Sequence, residues 1–158
     1  MNKIQYLLLI FLFFSNCENN IEDRIPAFQA YVNGNQFWEA SSFSITTDIS
    51  GAVISGNTFS GTIIMYIPSL EVGANNLGST EIANAIYQDT TYYSTSFNGI
   101  GSIAYLSDGE VTIEEFNSEE NTISGTFNFD AYNETGEYNI NISQGVFYRL
   151  PISVSSEN

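Results

Sequence analysis

The chemistry open to this chain is limited by which side chains it carries. Its 158 residues include one cysteine, Cys17, and no histidine, whereas 18 residues are aspartate or glutamate and 10 are tyrosine. The absence of histidine excludes Ser-His-Asp and Cys-His nucleophile systems, and zinc sites built from His and Cys. Acylation of one thiol, carboxylate chemistry, binding of hard cations by oxygen atoms and non-catalytic binding remain. Non-catalytic binding is the interpretation we favour among these, so we expect a protein that is not an enzyme and that carries no cofactor or metal.

The single thiol stands at the end of a segment that is typical of export. Lys3 precedes the apolar run from Tyr6 to Phe14, and Ser15 and Asn16 separate that run from Cys17. The run is shorter than the roughly 20 apolar residues that cross a bilayer. It fits the apolar region, about 7–15 residues long, of a secretory signal peptide.

The junction at Cys17 resembles the lipobox of bacterial lipoproteins, in which the cysteine is acylated and becomes the new N-terminus. Phe14 and Asn16 stand where the usual pattern has Leu and then Gly or Ala, and this relaxed form resembles lipoproteins of the Bacteroidota. The resemblance implies a signal peptide over residues 1–16, a lipid anchor on Cys17, an acidic tether over residues 17–26 and attachment to the outer membrane. The alternative is an ordinary signal peptide with an incidental cysteine. Whether the domain faces the cell surface or the periplasm stays open.

The charge of the processed chain restricts its partners. Once Lys3 is removed with the signal peptide, only Arg24 and Arg149 oppose the 18 acidic residues. Nucleic-acid binding is excluded, because phosphate contacts need Lys and Arg. The same charge argues against peripheral attachment to anionic lipid, so the acyl chains would supply the membrane contact.

The sequence after residue 26 alternates apolar and polar residues with a period of two, which predicts antiparallel strands that are wet on one face. Asn33-Gly34 lies between two such runs and predicts a hairpin, because both residues tolerate positive φ. Gln144-Gly145 predicts a bend or bulge. The predicted strands occupy residues 28–32, 36–40, 43–47, 52–55, 60–67, 81–87, 92–98, 101–106, 110–116, 123–131, 138–142 and 146–148.

These patterns predict an all-β fold with about ten short strands and little helix. An antiparallel β-sandwich is the favoured arrangement and a small calycin-like β-barrel the alternative. No linker interrupts the chain, so we expect one β domain over residues 27–153 and a C-terminal tail over residues 154–158. The Gly- and Asn-rich segment from Gly73 to Ser79 is predicted to be the longest loop.

The layout as a whole resembles a family of uncharacterised Bacteroidota lipoproteins that is described only as a domain of unknown function. The residues that carry the resemblance are Ala30 to Gly34 with Trp38, then Ser124 to Phe129, then Gly145 to Phe147. These are turns and core aromatics. The resemblance therefore implies a fold family and carries over no catalytic residue.

Two groups of residues could form a ligand site. Tyrosines are concentrated in the middle third of the chain, and rings on one sheet face could stack on a glycan; equally, tyrosine is a good strand residue with a wet tip. The candidate stacking residues are Tyr87, Tyr92, Tyr93 and Tyr105. Trp38 is expected in the core. Thr90, in Asp89-Thr90-Thr91, resembles a short O-glycosylation motif of exported Bacteroidota proteins.

Acidic residues form the second group. Six of them, Asp108, Glu110, Glu114, Glu115, Glu119 and Glu120, fall within 13 positions. Their spacing does not match an EF-hand loop, and a solvated strand edge is the favoured interpretation over a calcium site. A pair of carboxylates at glycosidase distances is a further alternative.

Together these features predict a lipid-anchored lipoprotein of the cell envelope that serves as a non-enzymatic binding or structural accessory module. Its partner would be the membrane through Cys17, with a glycan or an envelope protein as the unidentified second partner. The alternatives are a carboxylate-dependent glycoside hydrolase, which needs two acidic residues facing one cleft, and a β-barrel that binds an apolar ligand.

Overall fold

The structure is a computed structural model that describes residues 27–101 and 105–154. The described residues form eleven β-strands and no helix, so the predicted all-β class is confirmed. This part of the chain accordingly contains no helix that could cross a membrane. The strands are β1 (Ala27–Val32), β2 (Gln36–Glu39), β3 (Ser42–Asp48), β4 (Gly51–Asn57), β5 (Thr62–Ile67), β6 (Gly73–Gly78), β7 (Asn84–Gln88), β8 (Tyr92–Ser94), β9 (Asp108–Asn117), β10 (Thr122–Asn133) and β11 (Asn139–Val154).

All eleven strands belong to one hydrogen-bonded network in the order β2-β1-β11-β3-β4-β5-β7-β8-β10-β9-β6, with a further pairing between β10 and β11. The extra pairing closes a circuit through β10, β11, β3, β4, β5, β7 and β8, while β9-β6 and β1-β2 extend from it. Every pairing between strands is antiparallel except that of β3 with β11. The sandwich and the small barrel are both compatible with this connectivity.

The predicted hairpin at Asn33-Gly34 is present. Asn33 has φ 51° and Gly34 has φ 73°, and Val32 pairs with Gln36 on the far side of the turn. Two consecutive residues with positive φ match the right-handed twist of the strands they join. The turn brings β2 back along β1.

The long strand β11 is irregular at two positions, Gln144 and Arg149. Gln144 has φ 51° and lies where the pairing with β1 and β10 shifts by one residue, as the Gln144-Gly145 pattern predicted. Arg149 has φ 48° and lies between the part of β11 that pairs with β1 and the part that pairs with β3. Such bulges bend a strand and increase its twist. The bend at Arg149 lets β11 pair with β1 before that residue and with β3 after it.

The core combines a cluster of aromatic rings with many aliphatic side chains. Phe28 contacts the rings of Trp38, Phe127 and Phe147, with centroids 5.4, 5.3 and 6.4 Å away. Trp38 is only 2% exposed, as the sequence predicted. Edge-to-face rings at these separations add to the stabilisation from burial. The fully buried aliphatic residues include Ile45, Ile54, Ile63, Met65, Ile113, Ile123, Ile142 and Leu150.

Three local predictions were wrong. The strand predicted over 92–98 ends at Ser94. The segment from Gly73 to Ser79 is not the longest loop, because Gly73–Gly78 forms β6 and pairs with β9 along its whole length. Tyr105 and Leu106 are not in a strand; the predicted strand over 101–106 also includes residues 102–104, which lie outside the described residues.

Candidate functional site

The candidate site is an open cleft of about 640 Å³ beside the edge strand β6. One wall runs from Asn76 to Glu81, a second runs from Leu106 to Glu110, and Asn128 of β10 also lines the cleft. A cleft of this volume is in the range of about 300–1,000 Å³ that is usual for small-ligand sites.

Strand register brings the polar groups of the cleft together. Asn76 of β6 is directly opposite Glu110 of β9, and Glu110 is directly opposite Asn128 of β10. Paired residues share a sheet face, so these side chains form one row across three strands. Asp108 lies two residues from Glu110 and therefore on the same face. Thr112 Oγ1 donates to Glu110 Oε1 at 2.6 Å, which holds that carboxylate in place.

Asn98 fixes the two loops that form the walls. Its Nδ2 donates to Ser79 Oγ at 2.8 Å, and its Oδ1 accepts from the backbone N–H of Ser107 at 3.0 Å. Ser107 is buried, and its hydroxyl donates a short hydrogen bond to the carbonyl of Thr95. Both loops are therefore held in a defined position by hydrogen bonds that do not involve a ligand.

The carboxylates of the cleft can accept hydrogen bonds from a ligand, and its amides can donate and accept them. Leu106 can contact an apolar part of that ligand. Leu106 is 68% exposed and its neighbour Tyr105 is 61% exposed. The three carboxylates that line the cleft are those of Glu81, Asp108 and Glu110. Across residues 27–101 and 105–154, no group of three or more Cys, His, Asp or Glu side chains converges closely enough to hold a metal ion.

The structure separates the six acidic residues between 108 and 120 into different places. Asp108 and Glu110 line the cleft at the start of β9, whereas Glu114 and Glu115 lie at a bulge opposite Ser124. Glu119 and Glu120 follow in the β9–β10 turn, where Asn117 Oδ1 accepts from both backbone N–H groups. Glu120 forms an ion pair with Arg149, which raises the pKa of that guanidinium further.

The four candidate tyrosines do not share one surface. Tyr87 is 2% exposed and lies in the core opposite Tyr93, with ring centroids 6.4 Å apart. Tyr92 faces outward, is 43% exposed and contacts Phe97. Tyr105 lies beside the cleft. Tyr92 and Tyr93 are neighbours on β8 and point to opposite faces, so among the four candidates the exposed rings are those of Tyr92 and Tyr105.

The remaining candidate residues lie elsewhere. Thr90 is exposed at the tip of the β7–β8 turn, where Asp89 Oδ1 accepts from the N–H of Thr91 at 2.7 Å. Cys17, the signal peptide and the tether lie outside the described residues. The sequence reasoning missed Asn76 and Asn128 as cleft residues, since only strand register shows that they flank Glu110.

Comparison with known proteins adds a family and no activity. No curated protein matches the chain, and no solved structure does either. A family profile described as "Domain of unknown function (DUF6252)" matches residues 24–151, which cover the whole strand region up to Pro151. The chain therefore belongs to the DUF6252 family, a domain of unknown function.

Proposed function

We propose that this protein is a lipid-anchored lipoprotein of the outer membrane whose β domain is a non-enzymatic binding module. The anchor rests on Cys17, which follows the apolar run and two small or polar residues. The domain follows closely, because β1 begins at Ala27, ten residues after the cysteine. The missing histidine and the single cysteine support a role in binding rather than catalysis.

The ligand class that the cleft suits best is a neutral glycan or a similar polyhydroxylated molecule. The observation that carries this proposal is the row of Asn76, Glu110 and Asn128 on one outer sheet face. Amides and carboxylates in such a row can bond to several hydroxyl groups at once. Exposed Leu106 and Tyr105 supply the apolar and aromatic surface against which a sugar ring can lie.

Binding can be tested with a panel of neutral and acidic glycans and isothermal titration of any hit. We expect Asn128→Ala and Glu110→Gln to weaken binding of a neutral glycan by about 5–30-fold each, as the loss of one hydrogen bond to a ligand predicts. The matched control is Asn35→Ala in the exposed β1–β2 turn, because Asn35 does not line the cleft. Equal affinity of all three variants and the wild type would rule out the cleft as the site.

The anchor is tested separately. Mass spectrometry of the mature N-terminus should show acyl chains on Cys17, and Cys17→Ala should release the protein from the membrane fraction. Protease treatment of intact cells then distinguishes surface exposure, in which the domain is cleaved, from a periplasmic position, in which it is protected. A membrane-bound Cys17→Ala protein would contradict the lipid anchor.

A glycoside hydrolase is the second candidate, because Glu81, Asp108 and Glu110 line one cleft. Two carboxylates on opposite sides of a glycosidic bond are what such enzymes use. The test is release of reducing sugar from any glycan that binds. Turnover that is abolished by Asp108→Asn, with binding retained, would replace the non-enzymatic proposal.

A further inference from the structure

The row of side chains that begins in the cleft continues beyond it across the same sheet. Asn128 of β10 lies opposite the irregular part of β11, where its neighbours are Ser143 and Gln144. Ser143 pairs with Tyr31 of β1, and Tyr31 pairs with Phe37 of β2. Because paired residues share a sheet face, one row crosses six strands. In order from the cleft, this row contains Asn76, Glu110, Asn128, Ser143, Tyr31 and Phe37.

The row lies on the outer face of the sheet. Phe37 is 51% exposed, and Asn76 and Asn128 are exposed as well. Their neighbours along the strands point the other way, since Trp38 and Phe129 are buried in the core. Both ends of the row are therefore open to a ligand.

The end of the row away from the cleft is an aromatic pair. The ring centroids of Tyr31 and Phe37 are 5.6 Å apart and their planes are inclined by 62°. This contact supports the Phe37 ring while about half of its surface stays in water. An exposed ring beside a row of hydrogen-bonding groups offers the flat apolar surface on which the C–H face of a sugar can lie.

Hydrogen bonds within the sheet hold the polar groups near the middle of the face in place. Glu110 Oε1 accepts from Thr112 Oγ1 at 2.6 Å, and Asp130 Oδ1 accepts from Asn141 Nδ2 at 2.8 Å. Side chains that are already fixed lose less freedom when a ligand binds, so less affinity is lost to ordering them.

The charge of this face indicates which kind of ligand it accepts. Within residues 27–101 and 105–154, Arg149 is the only lysine or arginine, and it is paired with Glu120. Glu110 and Asp130 give the face a negative charge that repels carboxylated or sulfated glycans. An extended peptide would instead pair through its backbone with a free strand edge. A face of amides, hydroxyls, carboxylates and one exposed ring suits an uncharged chain that is rich in hydroxyl groups.

We propose that the outer face of β6, β9, β10, β11, β1 and β2 binds an extended, uncharged oligosaccharide, with the cleft at one end and Phe37 as a stacking surface at the other. The inference rests on the proposed glycan binding and adds the length and shape of the ligand. Adjacent strands lie about 4.8 Å apart, so the row across these six strands is roughly 24 Å long, which matches an extended chain of about five sugar rings. The row within the cleft crosses only three of the strands. A chain that also reaches Phe37 makes a second, linked contact, which raises its affinity.

The test measures affinity as a function of ligand length. Extended β-linked oligosaccharides of glucose, mannose or xylose are titrated into the full-length protein, each as a disaccharide and as a hexasaccharide, in a detergent without a sugar headgroup. We expect at least one series in which the hexasaccharide binds at least about tenfold more tightly than the disaccharide. Equal affinities of the two lengths in every series that binds would refute the extended face.

Variants of Phe37 test the far end of the row. Phe37→Ala should weaken binding of that hexasaccharide by about 3–10-fold and leave disaccharide binding unchanged, because only the longer chain reaches the ring. Phe37→Tyr keeps an aromatic ring and should retain the affinity. The matched control is Phe59→Ala in the β4–β5 turn, an exposed phenylalanine outside the row. An equal loss for both ligand lengths would show an indirect effect on the cleft and would contradict the stacking role.

The possible failures are distinguishable. If a glycan binds and Asn128→Ala weakens it, but neither chain length nor Phe37→Ala changes the affinity, the cleft remains the site and the extended face is refuted. A dimer that Phe37→Ala converts to a monomer would assign the aromatic end to a second copy of the chain instead. If no uncharged oligosaccharide binds at either length, the proposed glycan binding itself fails, and this inference fails with it.

Discussion

The indole Nε1 of Trp38 donates a hydrogen bond of 3.3 Å to the carbonyl oxygen of Gly61, a residue 23 positions later in the chain. This bond holds the edge strand β2 against the β4–β5 turn across the core. The approach is close because Gly56, on the strand that leads to the turn, has no Cβ. A Cβ there would lie 2.6 Å from the ring of Phe28 and 2.8 Å from that of Trp38.

Gly56→Ala should therefore lower the free energy of unfolding by about 1–3 kcal/mol, because a methyl group must displace two packed rings. Urea denaturation followed by Trp38 fluorescence measures the change. The matched control is Gly34→Asn, whose φ of 73° suits asparagine and whose Cβ would meet nothing within 4 Å. Equal midpoints for the two variants would contradict the packing described here.

Asn98→Ala should loosen the cleft as well as the fold. It removes the bonds to Ser79 and Ser107, and we expect a loss of stability of about 1 kcal/mol. The affinity for a cleft ligand should fall further than stability alone explains, because both walls become mobile. Titration of the ligand well below the melting temperature checks this. Unchanged affinity would mean that the loops are held by other contacts.

Ionisation of Tyr87 should contribute to the loss of folding stability at alkaline pH. Burial, and then the nearby charge of Asp89, raise the pKa of its phenol above the ordinary 10.0. The folded state therefore disfavours the ionised phenol. The contribution of neutral Tyr87 to the free energy of unfolding is complete below pH 10 and is lost as the pH rises through the folded pKa. Tyr87→Phe should flatten the fall in melting temperature above pH 10. Exposed Tyr92→Phe is the control, and identical curves for the two variants would contradict the assignment.

Protonation of Asp48 should contribute to the loss of folding stability at acid pH. Its carboxylate accepts from the side chain and the backbone N–H of Ser50, and these bonds lower its pKa below the ordinary 3.8. A lowered pKa stabilises the fold above the unfolded value, and the effect is lost as pH falls through the folded value. The melting temperature of Asp48→Asn should therefore lie below that of the wild type at pH 7, and the difference should shrink as the pH falls below the ordinary pKa of 3.8. A constant difference would show that the charge is not involved.

The sequence predicted what local patterns control. Alternation in Phe28, Ala30 and Val32 correctly indicated a half-buried strand, and Asn33-Gly34 correctly indicated its turn. Each of these patterns depends on residues within a few positions of one another. The fold class, the aromatic core and the bulge at Gln144 followed from the same kind of information.

The features that the sequence did not predict are those that depend on strand register. Gly73–Gly78 contains two glycines and two asparagines, which are poor strand formers, and β6 exists because β9 pairs with all six of its residues. For the same reason the cleft was missed: Asn76, Glu110 and Asn128 are far apart in sequence and meet only when three strands align. The tyrosine group failed as one surface because neighbours such as Tyr92 and Tyr93 point to opposite faces.

The position of β11 dictates when this domain can fold. The last strand of the domain pairs with β1, β3 and β10, and the rest of the network closes only through it. A chain that crosses a membrane from its N-terminus cannot complete this sheet until its final residues arrive. Export of the kind proposed above would therefore leave the sheet incomplete until β11 had crossed, and a premature stop within β11 would deprive β1 and β3 of the strand that joins them.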